Sequence, residues 1–441
     1  MVTRRATFRL YPSATQARQL HEWRRMHKDL YNAALSNRKT QYQKFGHSVD
    51  YFEQQNCLPE FKEVWTEYKA LGSQALQATL KRVDLAFLRF FGGLGTGRVT
   101  RPVGYPKFKS ARHYRGWTYP GVAGWKVEGE GGNGHLTISK LGRFQMRGQA
   151  RTWGTPTTCT IFFQHGNWYA SITVLCMPIR TTDIGSVGID LGCKEAITVS
   201  TGQQFSKPEF LKEGQKKVKL ASKKIRRKRS PNWKKKVKAS RRWKKNRQLV
   251  SKLQRKLARQ REDWQHKVTS NIVSVNSLIA GEQLSVKNMT RKARKRRIGS
   301  EVSSELCATR QGSKRKAQKA GLNRSMLEVG FSTISKMFAY KSAEAGGFYL
   351  ESPTRQLKPS QRCAKCWELT PKTLADRVHI CQHCGHQEDR DVNAAQVNLI
   401  WARGQELSSP GAESSSSTSR GSMKQLGALK RQKLPTQRSG G

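Results

Sequence analysis

The chain has 441 residues, of which 83 are Lys or Arg and 30 are Asp or Glu, so its formal net charge is +53. This surplus exceeds what surface solvation requires and predicts a long polyanionic partner, because each neutralised phosphate takes up roughly one cation. No apolar run reaches the roughly eighteen residues of a transmembrane helix, and the first residues lack the apolar core of a secretory signal.

The cysteines number nine, which is odd. In a sequence without a secretory signal, this indicates a reducing interior and not a disulfide framework. Four cysteines form a paired pattern described below. The other five are predicted to be small core residues: Cys57, Cys159, Cys176, Cys193 and Cys307.

The N-terminal part of the sequence predicts a strand followed by helices. Residues 6–12 alternate and end at a proline, and Ser13 with Gln16 has the pattern of a capping box. Two apolar stripes at helical spacing then predict a helical lobe over residues 12–94. The first stripe contains Leu20, Trp23, Leu30, Tyr31, Ala34 and Leu35, and the second, within a helix over 73–91, contains Leu76, Leu80, Val83, Phe87 and Phe91.

Residues 95–182 are rich in glycine, proline and β-branched side chains, which favours strands. Residues 157–176 predict a hairpin that turns at His165-Gly166-Asn167. Together with the first strand, residues 1–11, this segment predicts a small β-barrel interrupted by the helical lobe.

Residues 186–202 predict two strands joined by a tight turn, LGCKE. From Lys216 to Arg261, 23 of 46 residues are Lys or Arg and none is Asp or Glu. Ser230-Pro231 divides this run, and its second half predicts a long amphipathic helix with a basic outer face. The apolar positions of that helix are Val250, Leu253, Leu257, Trp264 and Val268.

The remaining elements are shorter. Residues 276–286 and 348–353 predict strands, residues 323–346 a helix, and residues 291–297 a basic loop. Residues 405–441 are rich in Ser, Gly, Gln and Lys, which predicts a disordered basic tail.

Four cysteines form two CxxC pairs, with fourteen residues between the pairs. Two such knuckles can complete a tetrahedron of thiolates around Zn²⁺, and a site closed by four cysteines is structural and not catalytic. A redox pair or unmetallated thiols are the alternatives. The nearby rival ligands His379, His383 and His386 are expected to face solvent. The four cysteines are Cys363, Cys366, Cys381 and Cys384, and Trp367 stands where such knuckles usually have glycine.

Three acids lie inside or at the ends of apolar elements. Asp190 lies in VGIDLG, Glu282 in LIAGEQL, and Asp391 precedes the apolar helix NAAQVNLI. Because an unpaired buried carboxylate is costly, we expect the three to converge on divalent cations. Two Mg²⁺ ions about 3.5–4 Å apart could activate a water and stabilise the leaving oxygen of a phosphodiester. All-oxygen ligands suit Mg²⁺ or Mn²⁺ better than zinc.

Each acid also has a simpler interpretation. Asp190 could be a turn residue, and Glu282 could form a salt bridge with a neighbouring lysine. Asp391 could cap its helix, with Asp389 as the competing ligand.

The segments VGIDLG, IAGEQLSVKNM and DRDVNAA resemble the three motifs of the RuvC-like nuclease domain, which has an RNase H fold. Together with RLYPSATQ, SPNWKK, HKVT and the two CxxC pairs, they make residues 6–403 resemble the TnpB family. These are transposon-associated, RNA-guided DNA endonucleases, regarded as ancestral to type V CRISPR effectors.

The resemblance implies a multidomain α/β protein with catalytic acids Asp190, Glu282 and Asp391 as ligands of Mg²⁺. The implied domains are a wedge barrel at 1–11 and 95–182, a recognition lobe at 12–94, a RuvC-like domain at 183–350 and 388–404, and an inserted zinc ribbon at 351–387.

The implied partners are a guide RNA and double-stranded target DNA, bound by a monomer that holds one RNA in the prokaryotic cytoplasm, at the nucleoid. Base pairing would read most of the target, and the protein a short adjacent motif. The helix face with Ser73, Gln74, Gln77 and Lys81 is the predicted reader of that motif. Further predicted nucleic-acid contacts are Tyr105, Lys107, Lys109, Lys234 and Arg241. Trp233 and Trp243 suit base stacking or core packing equally.

Other functions stay open at this point. A compact type V CRISPR effector would use the same chemistry, and a transposase on this fold would join DNA ends without a guide. A non-cleaving, guide-directed binding protein would be expected to lack one of the acids, and all three are present.

Overall fold

The computed structural model describes residues 1–95, 104–178, 180–232, 235–292, 305–373 and 376–406. The chain divides into two compact units, Met1–Ile179 and Arg180–Gly441. Among the described residues, no helix is both long enough and apolar enough to cross a bilayer. The predicted tail after Glu406 and most of the basic loop at 291–297 lie outside the described residues, whereas the first two residues of the predicted tail, 405 and 406, are helical.

The N-terminal unit contains one seven-stranded antiparallel sheet with the order β2-β6-β7-β1-β5-β4-β3. Its strands are β1 Val2–Tyr11, β2 Gly116–Tyr119, β3 Trp125–Glu128, β4 Gly134–Ile138, β5 Gly142–Arg147, β6 Thr155–Gln164 and β7 Asn167–Cys176. The first strand lies in the middle, paired with β7 on one side and β5 on the other. Closure of this sheet into a barrel stays a prediction.

The predicted hairpin is confirmed as β6 and β7, joined by His165 and Gly166. Both turn residues have positive φ, +54° and +82°. Such a left-handed two-residue turn matches the twist of antiparallel strands, so it fixes the register of the hairpin.

The helices of this unit lie between β1 and β2, as predicted. They are α1 Ala14–Phe45, α2 Tyr51–Asn56, α3 Leu58–Val64, a 3-10 turn Thr66–Ala70 and α4 Ser73–Gly95. Ser13 caps α1: its Oγ accepts from Gln16 N at 3.2 Å, and Gln16 Oε1 accepts from Ser13 N at 3.0 Å. Two core predictions are wrong, because Phe91 is 56% exposed where α4 extends beyond the core and Cys57 is exposed at the start of α3.

The C-terminal unit contains a five-stranded mixed sheet in the order β10-β9-β8-β11-β12. Its strands are β8 Gly185–Asp190, β9 Glu195–Val199, β10 Gln204–Ser206, β11 Asn276–Glu282 and β12 Phe348–Ser352. Strand β8 is antiparallel to β9 and parallel to β11, which is parallel to β12. A separate ribbon pairs β13 Val378–Ile380 with β14 Gln387–Asp389.

The helices of this unit include a long basic pair between β10 and β11. The full set is α5 Glu209–Arg226, α6 Arg241–Val275, α7 Val286–Met289, α8 Glu305–Val329, α9 Phe331–Glu344, α10 Thr354–Leu357 and α11 Arg390–Glu406. The single helix predicted over 323–346 is in fact two, because Gly330 adopts a left-handed φ of +79° between α8 and α9.

The two faces of the mixed sheet bury different helices. On one face, Val187, Ile189 and Ile279 pack with apolar residues of α6 and α9. On the other face, α11 lies so close that a Cβ on Gly188 would stand 1.8 Å from the carbonyl oxygen of Ala395. Only glycine fits there, so this position sets how near α11 approaches β8.

Two lone cysteines, Cys159 and Cys176, are buried as predicted, and Cys193 is half-buried. The side chain of Cys307 lies outside the described residues.

Candidate active site and metal centre

Two of the predicted acids end adjacent parallel strands. Asp190 is the last residue of β8 and Glu282 the last residue of β11. The strands pair Ala280 with Gly188, so two further residues along each strand bring Glu282 level with Asp190. Adjacent strands lie about 4.8 Å apart, and residues two positions apart share a face. The two carboxylates therefore occupy one edge of the sheet on the same face as Gly188.

That face is the one that α11 covers. The helix runs antiparallel to β8: Ala395 lies against Gly188, and Arg403 Nη2 donates to Ser186 Oγ at 2.6 Å near the start of the strand. The first turn of α11, which carries Asp391, consequently lies at the end of β8 where Asp190 stands. The structure thus brings together three acids that are far apart in sequence.

Hydrogen bonds distinguish the roles of Asp389 and Asp391, the two acids at the start of α11. Asp389 Oδ1 accepts from Asp391 N at 2.9 Å and from Val392 N at 3.2 Å, so Asp389 caps the helix. The alternative that Asp391 is the cap is therefore wrong. Asp391 Oδ1 instead accepts from Arg390 Nε and Nη2 at 3.1 and 3.0 Å.

The pKa values of the cluster show that its negative charge is only partly compensated by neighbouring cations. Burial raises the pKa of Asp190 well above its ordinary value, the charges of Glu282 and Asp391 raise it further, and Arg390 lowers it. Burial also raises the pKa of Glu282 to about 7. Both side chains keep a small solvent-accessible area. The interpretation of Glu282 as one half of a salt bridge fails, since no described cation pairs with it.

The four paired cysteines form a much tighter set. All four sulfur atoms lie within 4.8 Å of one another. Cys363 Sγ is 3.7 Å from Cys384 Sγ, and Cys366 Sγ is 3.4 Å from Cys381 Sγ. Four sulfurs bound tetrahedrally at about 2.3 Å from one zinc ion stand about 3.8 Å apart, so the geometry fits a metal ion. Among the described residues, this is the only set of three or more potential ligands with such spacing, and the three carboxylates lie further apart.

The two knuckles share one backbone geometry despite different sequences. Trp367 N donates to Cys363 O at 3.0 Å, and Gly385 N donates to Cys381 O at 3.1 Å. The φ angles of Trp367 and Gly385 are +66° and +70°. The turn at Trp367 is therefore as tight as the glycine turn, and the guanidinium of Arg362 lies 5.2 Å from the centre of the indole ring.

One of the three rival histidines departs from expectation. His379 is fully buried, and burial together with Lys372 and His386 lowers its pKa to about 4. The expectation that it faces solvent is wrong, because the alternation of β13 turns this residue inward. His386 is half-buried and His383 is exposed.

Two buried asparagines of α11, which the sequence analysis did not single out, join the two centres. Asn393 Nδ2 donates to Arg362 O at 2.7 Å, and its Oδ1 accepts from Ala364 N at 3.0 Å. The side chain of Asn393 thus binds the backbone of the first knuckle on both sides of Cys363. Asn398 Nδ2 donates to Ile189 O at 3.1 Å, beside Asp190. Amides at buried positions of an apolar helix were the sequence signal that could have revealed them.

The predicted motif-reading residues lie on α4, and several already have partners. Ser73 Oγ accepts from Lys62 Nζ at 3.2 Å. Lys81 Nζ donates to Asp84 Oδ2 at 2.9 Å and lies 4.5 Å from the centre of the Tyr51 ring. Gln74 is exposed and Gln77 half-buried.

The other predicted nucleic-acid contacts are mostly exposed. Tyr105 packs edge-on against Phe87 and Phe90, with ring centres 5.5 and 5.3 Å away. Lys107 and Lys109 are exposed, and Asn32 holds the loop through two hydrogen bonds to the backbone of Lys109, at 2.8 and 2.9 Å.

In the basic region, Arg241 is exposed at the start of α6. Trp243 is half-buried, with the guanidinium of Arg247 5.1 Å from the centre of its indole ring. Lys234 and Trp233 lie outside the described residues.

Three family models match the chain. The OrfB IS605 model, described as "Probable transposase", matches residues 179–293, which include Asp190 and Glu282. The "Cas12f1-like, TNB domain" model matches residues 331–398, which include the four cysteines and Asp391. A "Helix-turn-helix domain" model of the OrfB IS605 type matches residues 1–47. In the structure those residues form one strand and a single 32-residue helix.

Two curated relatives match nearly the whole chain. The "Putative RNA-guided DNA endonuclease InsQ" of Escherichia coli (strain K12) is 28% identical over 402 residues, 90% of this chain and 91% of the relative. The "Putative RNA-guided DNA endonuclease" of Streptomyces pristinaespiralis is 26% identical over 417 residues, 91% of this chain and 89% of the relative.

Among solved structures, "Structure of the mini-RNA-guided endonuclease CRISPR-Cas_phi3" aligns with a TM-score of 0.43 and 10% identity, over 91% of this chain and 92% of that one. A likeness at this TM-score does not by itself establish a shared fold. Segments of the chain thus match the OrfB IS605 transposase, helix-turn-helix and Cas12f1-like TNB models, and together with the two curated relatives these matches confirm its resemblance to the TnpB family.

Proposed function

We propose that the chain is a transposon-associated, RNA-guided DNA endonuclease that hydrolyses phosphodiester bonds at the edge of its mixed sheet. The observation that carries this proposal is the meeting of Asp190, Glu282 and Asp391 on one face of that sheet, at the ends of β8, β11 and the start of α11. Similarity to two RNA-guided DNA endonucleases over about nine-tenths of the chain supports the same conclusion.

The sheet supports an RNase H-like, RuvC-type nuclease domain. Numbered along the chain, its strands lie in the order 3-2-1-4-5, with the first antiparallel to the second and parallel to the fourth. Two residues on its α11 face, Gly188 and Ala280, are small, and this leaves room for the acid-bearing helix. In this proposal the N-terminal unit supplies the wedge and recognition domains, and the cysteine knuckles form a zinc ribbon.

The donor sets suit two different metals. Four cysteine sulfurs with spacings of 3.4 and 3.7 Å fit Zn²⁺. Three carboxylates on one edge of the sheet, where Glu282 and Asp391 raise the pKa of Asp190, fit Mg²⁺, because a bound divalent cation offsets the repulsion. When bound, a pair of Mg²⁺ ions supplies an activated water and stabilises the leaving oxygen.

The protein residues have separate tasks. Asp190 and Glu282 form a fixed pair because their strands are hydrogen-bonded, whereas Asp391 is placed by the helix that Asp389 caps. Arg390 holds one oxygen of Asp391 and partly neutralises the cluster before metal binds. The excess of cations elsewhere brings a polyanion to this small acidic site.

The test begins with the RNA that co-purifies with the protein. Its sequence should contain a defined transposon-end segment, and changing the guide part of that RNA should redirect Mg²⁺-dependent cutting to a matching DNA. The Asp190→Ala protein should bind the same RNA but leave the DNA intact. Cutting without any guide, or joined DNA ends in place of cut ends, would contradict the proposal and favour a transposase.

A further inference from the structure

The helices α5 and α6 form an antiparallel pair with an open groove of about 610 Å³ between the end of one and the start of the other. Five cationic side chains line this groove, together with Asn246 and Leu249. The cations are Lys224, Arg227, Lys228, Arg242 and Lys245.

The five cations have no partner within the described part of the chain. Their charged groups form no hydrogen bond or ion pair there, and no carboxylate lines the groove. Like charges repel even in water, so gathering these side chains around one groove carries an electrostatic cost. An external anion would remove that cost.

The N-terminus of α6 lies at the groove and adds positive charge to it. A helix N-terminus carries partial positive charge, which favours acids and disfavours cations. The first turn of α6 contains no acid and instead presents Arg241 and Arg242, with Lys244 and Lys245 directly after it. The groove thus combines the positive end of α6 with five side-chain cations, although neither feature alone would define a site.

We propose that the α5–α6 groove binds the phosphodiester backbone of a nucleic acid through Lys224, Arg242 and Lys245. This inference deepens the proposed function by naming a backbone-binding surface outside the cluster of acids. Its ligand follows from the lining: the phosphates of a nucleic-acid backbone match a cluster of five cations, whereas Asn246 and Leu249 offer little for reading bases.

The experiment compares two triple variants of the full chain without added Mg²⁺, so that binding is measured apart from cleavage. The groove variant is Lys224→Gln, Arg242→Gln and Lys245→Gln. The control, Lys252→Gln, Lys256→Gln and Arg259→Gln, removes equal charge from exposed positions of α6 outside the groove. The probes are an RNA–DNA heteroduplex of about 20 base pairs, a DNA duplex of the same length and the single-stranded RNA.

The groove variant should weaken binding at least about tenfold at moderate salt. The slope of log Kd against log salt should fall by about 2.7 for a duplex or about 2.1 for a single strand, as expected when three phosphate contacts are lost. The probe that loses most affinity identifies whether RNA or DNA occupies the groove. The control should change affinity by less than about threefold.

Equal weakening by both variants would show diffuse attraction and would overturn the groove assignment, as would unchanged binding of all three probes by the groove variant. Unaltered thermal unfolding of both variants confirms that folding is not the cause. Failure of the wild-type chain to cut DNA would affect only the proposed function, because this comparison measures binding alone.

Discussion

The C-terminal unit contains two candidate metal centres that are organised in opposite ways: the four cysteines lie within 363–384, whereas the three acids come from distant parts of the chain. The cysteine knuckles bring four sulfurs within 4.8 Å through backbone turns. The three carboxylates come from two strands and a helix and are spaced more widely, with the pKa values of Asp190 and Glu282 raised. A structural site can be closed by local geometry, whereas a site that must admit water and a phosphate retains uncompensated charge.

The largest expected effect is at the carboxylate centre. Asp190→Asn should reduce cleavage by at least about a thousandfold, or about 4 kcal/mol of barrier, because it removes one charge of the proposed Mg²⁺ site and keeps the shape of the side chain. Guide RNA binding should stay near wild type. Asp183→Asn, an exposed acid of the same unit, is the matched control and should cut normally. Efficient cutting by the Asp190 variant would contradict the assignment of the three acids to the active site.

Next in size is loss of the cysteine centre. Cys381→Ser should remove bound zinc and destabilise the knuckles by several kcal/mol, because metal binding and local folding are coupled. Elemental analysis and thermal unfolding measure the two effects. Cys57→Ser, at an exposed lone cysteine, should change neither. A Cys381 variant that folds normally and binds no metal would show that the sulfurs pack without an ion.

The raised pKa values predict how stability depends on pH. The pKa of Glu282 rises from 4.5 to about 7 on folding, so without Mg²⁺ the folded chain holds a proton that the unfolded chain has released between these values. The free energy of unfolding should therefore fall as pH rises from about 5 to about 7, by up to about 3 kcal/mol from this group.

Urea unfolding of wild type and Glu282→Gln at a series of pH values measures this contribution together with the effect of the Glu282 charge on the pKa of Asp190. Added Mg²⁺ should restore stability at the upper end of the range and not at the lower. A difference between the two proteins that does not change with pH would contradict the assignment.

A smaller effect should separate the two asparagines of α11. Asn393→Ala leaves Ala364 N and Arg362 O without their partner, at a cost of about 1–3 kcal/mol, and should speed zinc release to a chelator. Asn398→Ala should cost a similar amount but leave zinc release unchanged, because its contacts are with Ile189 and Ser352. Equal release rates in the two variants would show that α11 does not support the knuckle through Asn393.

The smallest expected effect distinguishes the two knuckles. Trp367→Gly should relieve a left-handed φ of +66° in a non-glycine residue, which favours the variant by about 1 kcal/mol, but it loses the stacking of Arg362, worth about 0.5–1 kcal/mol. The free energy of unfolding should thus change by less than about 1 kcal/mol. A loss of several kcal/mol would reveal a packing role for the indole ring.

The sequence predicted those parts of this site that are unusual residue types for their surroundings. An acid inside an apolar strand, as at Asp190 and Glu282, and paired cysteines are visible because burial makes them costly without a partner. The amides of Asn393 and Asn398 in an apolar helix were a visible signal, but their hydrogen-bond partners were not predictable, since the sequence does not show which distant backbone each amide meets. The division of the 323–346 helix at Gly330 and the inward turn of His379 also depend on tertiary packing, which periodicity alone does not report.

The position of β1 has a consequence for how the N-terminal unit is made. The first strand occupies the middle of its sheet, where Val2 pairs with Cys176 and Leu10 with both Met146 and Trp168. Both neighbouring strands are synthesised long after it. During synthesis the first strand is therefore unpaired on both sides, while the helices that follow it can already form. An extension fused ahead of Val2 would begin at the end of a central strand. It could therefore disturb the pairing of that strand with both of its neighbours.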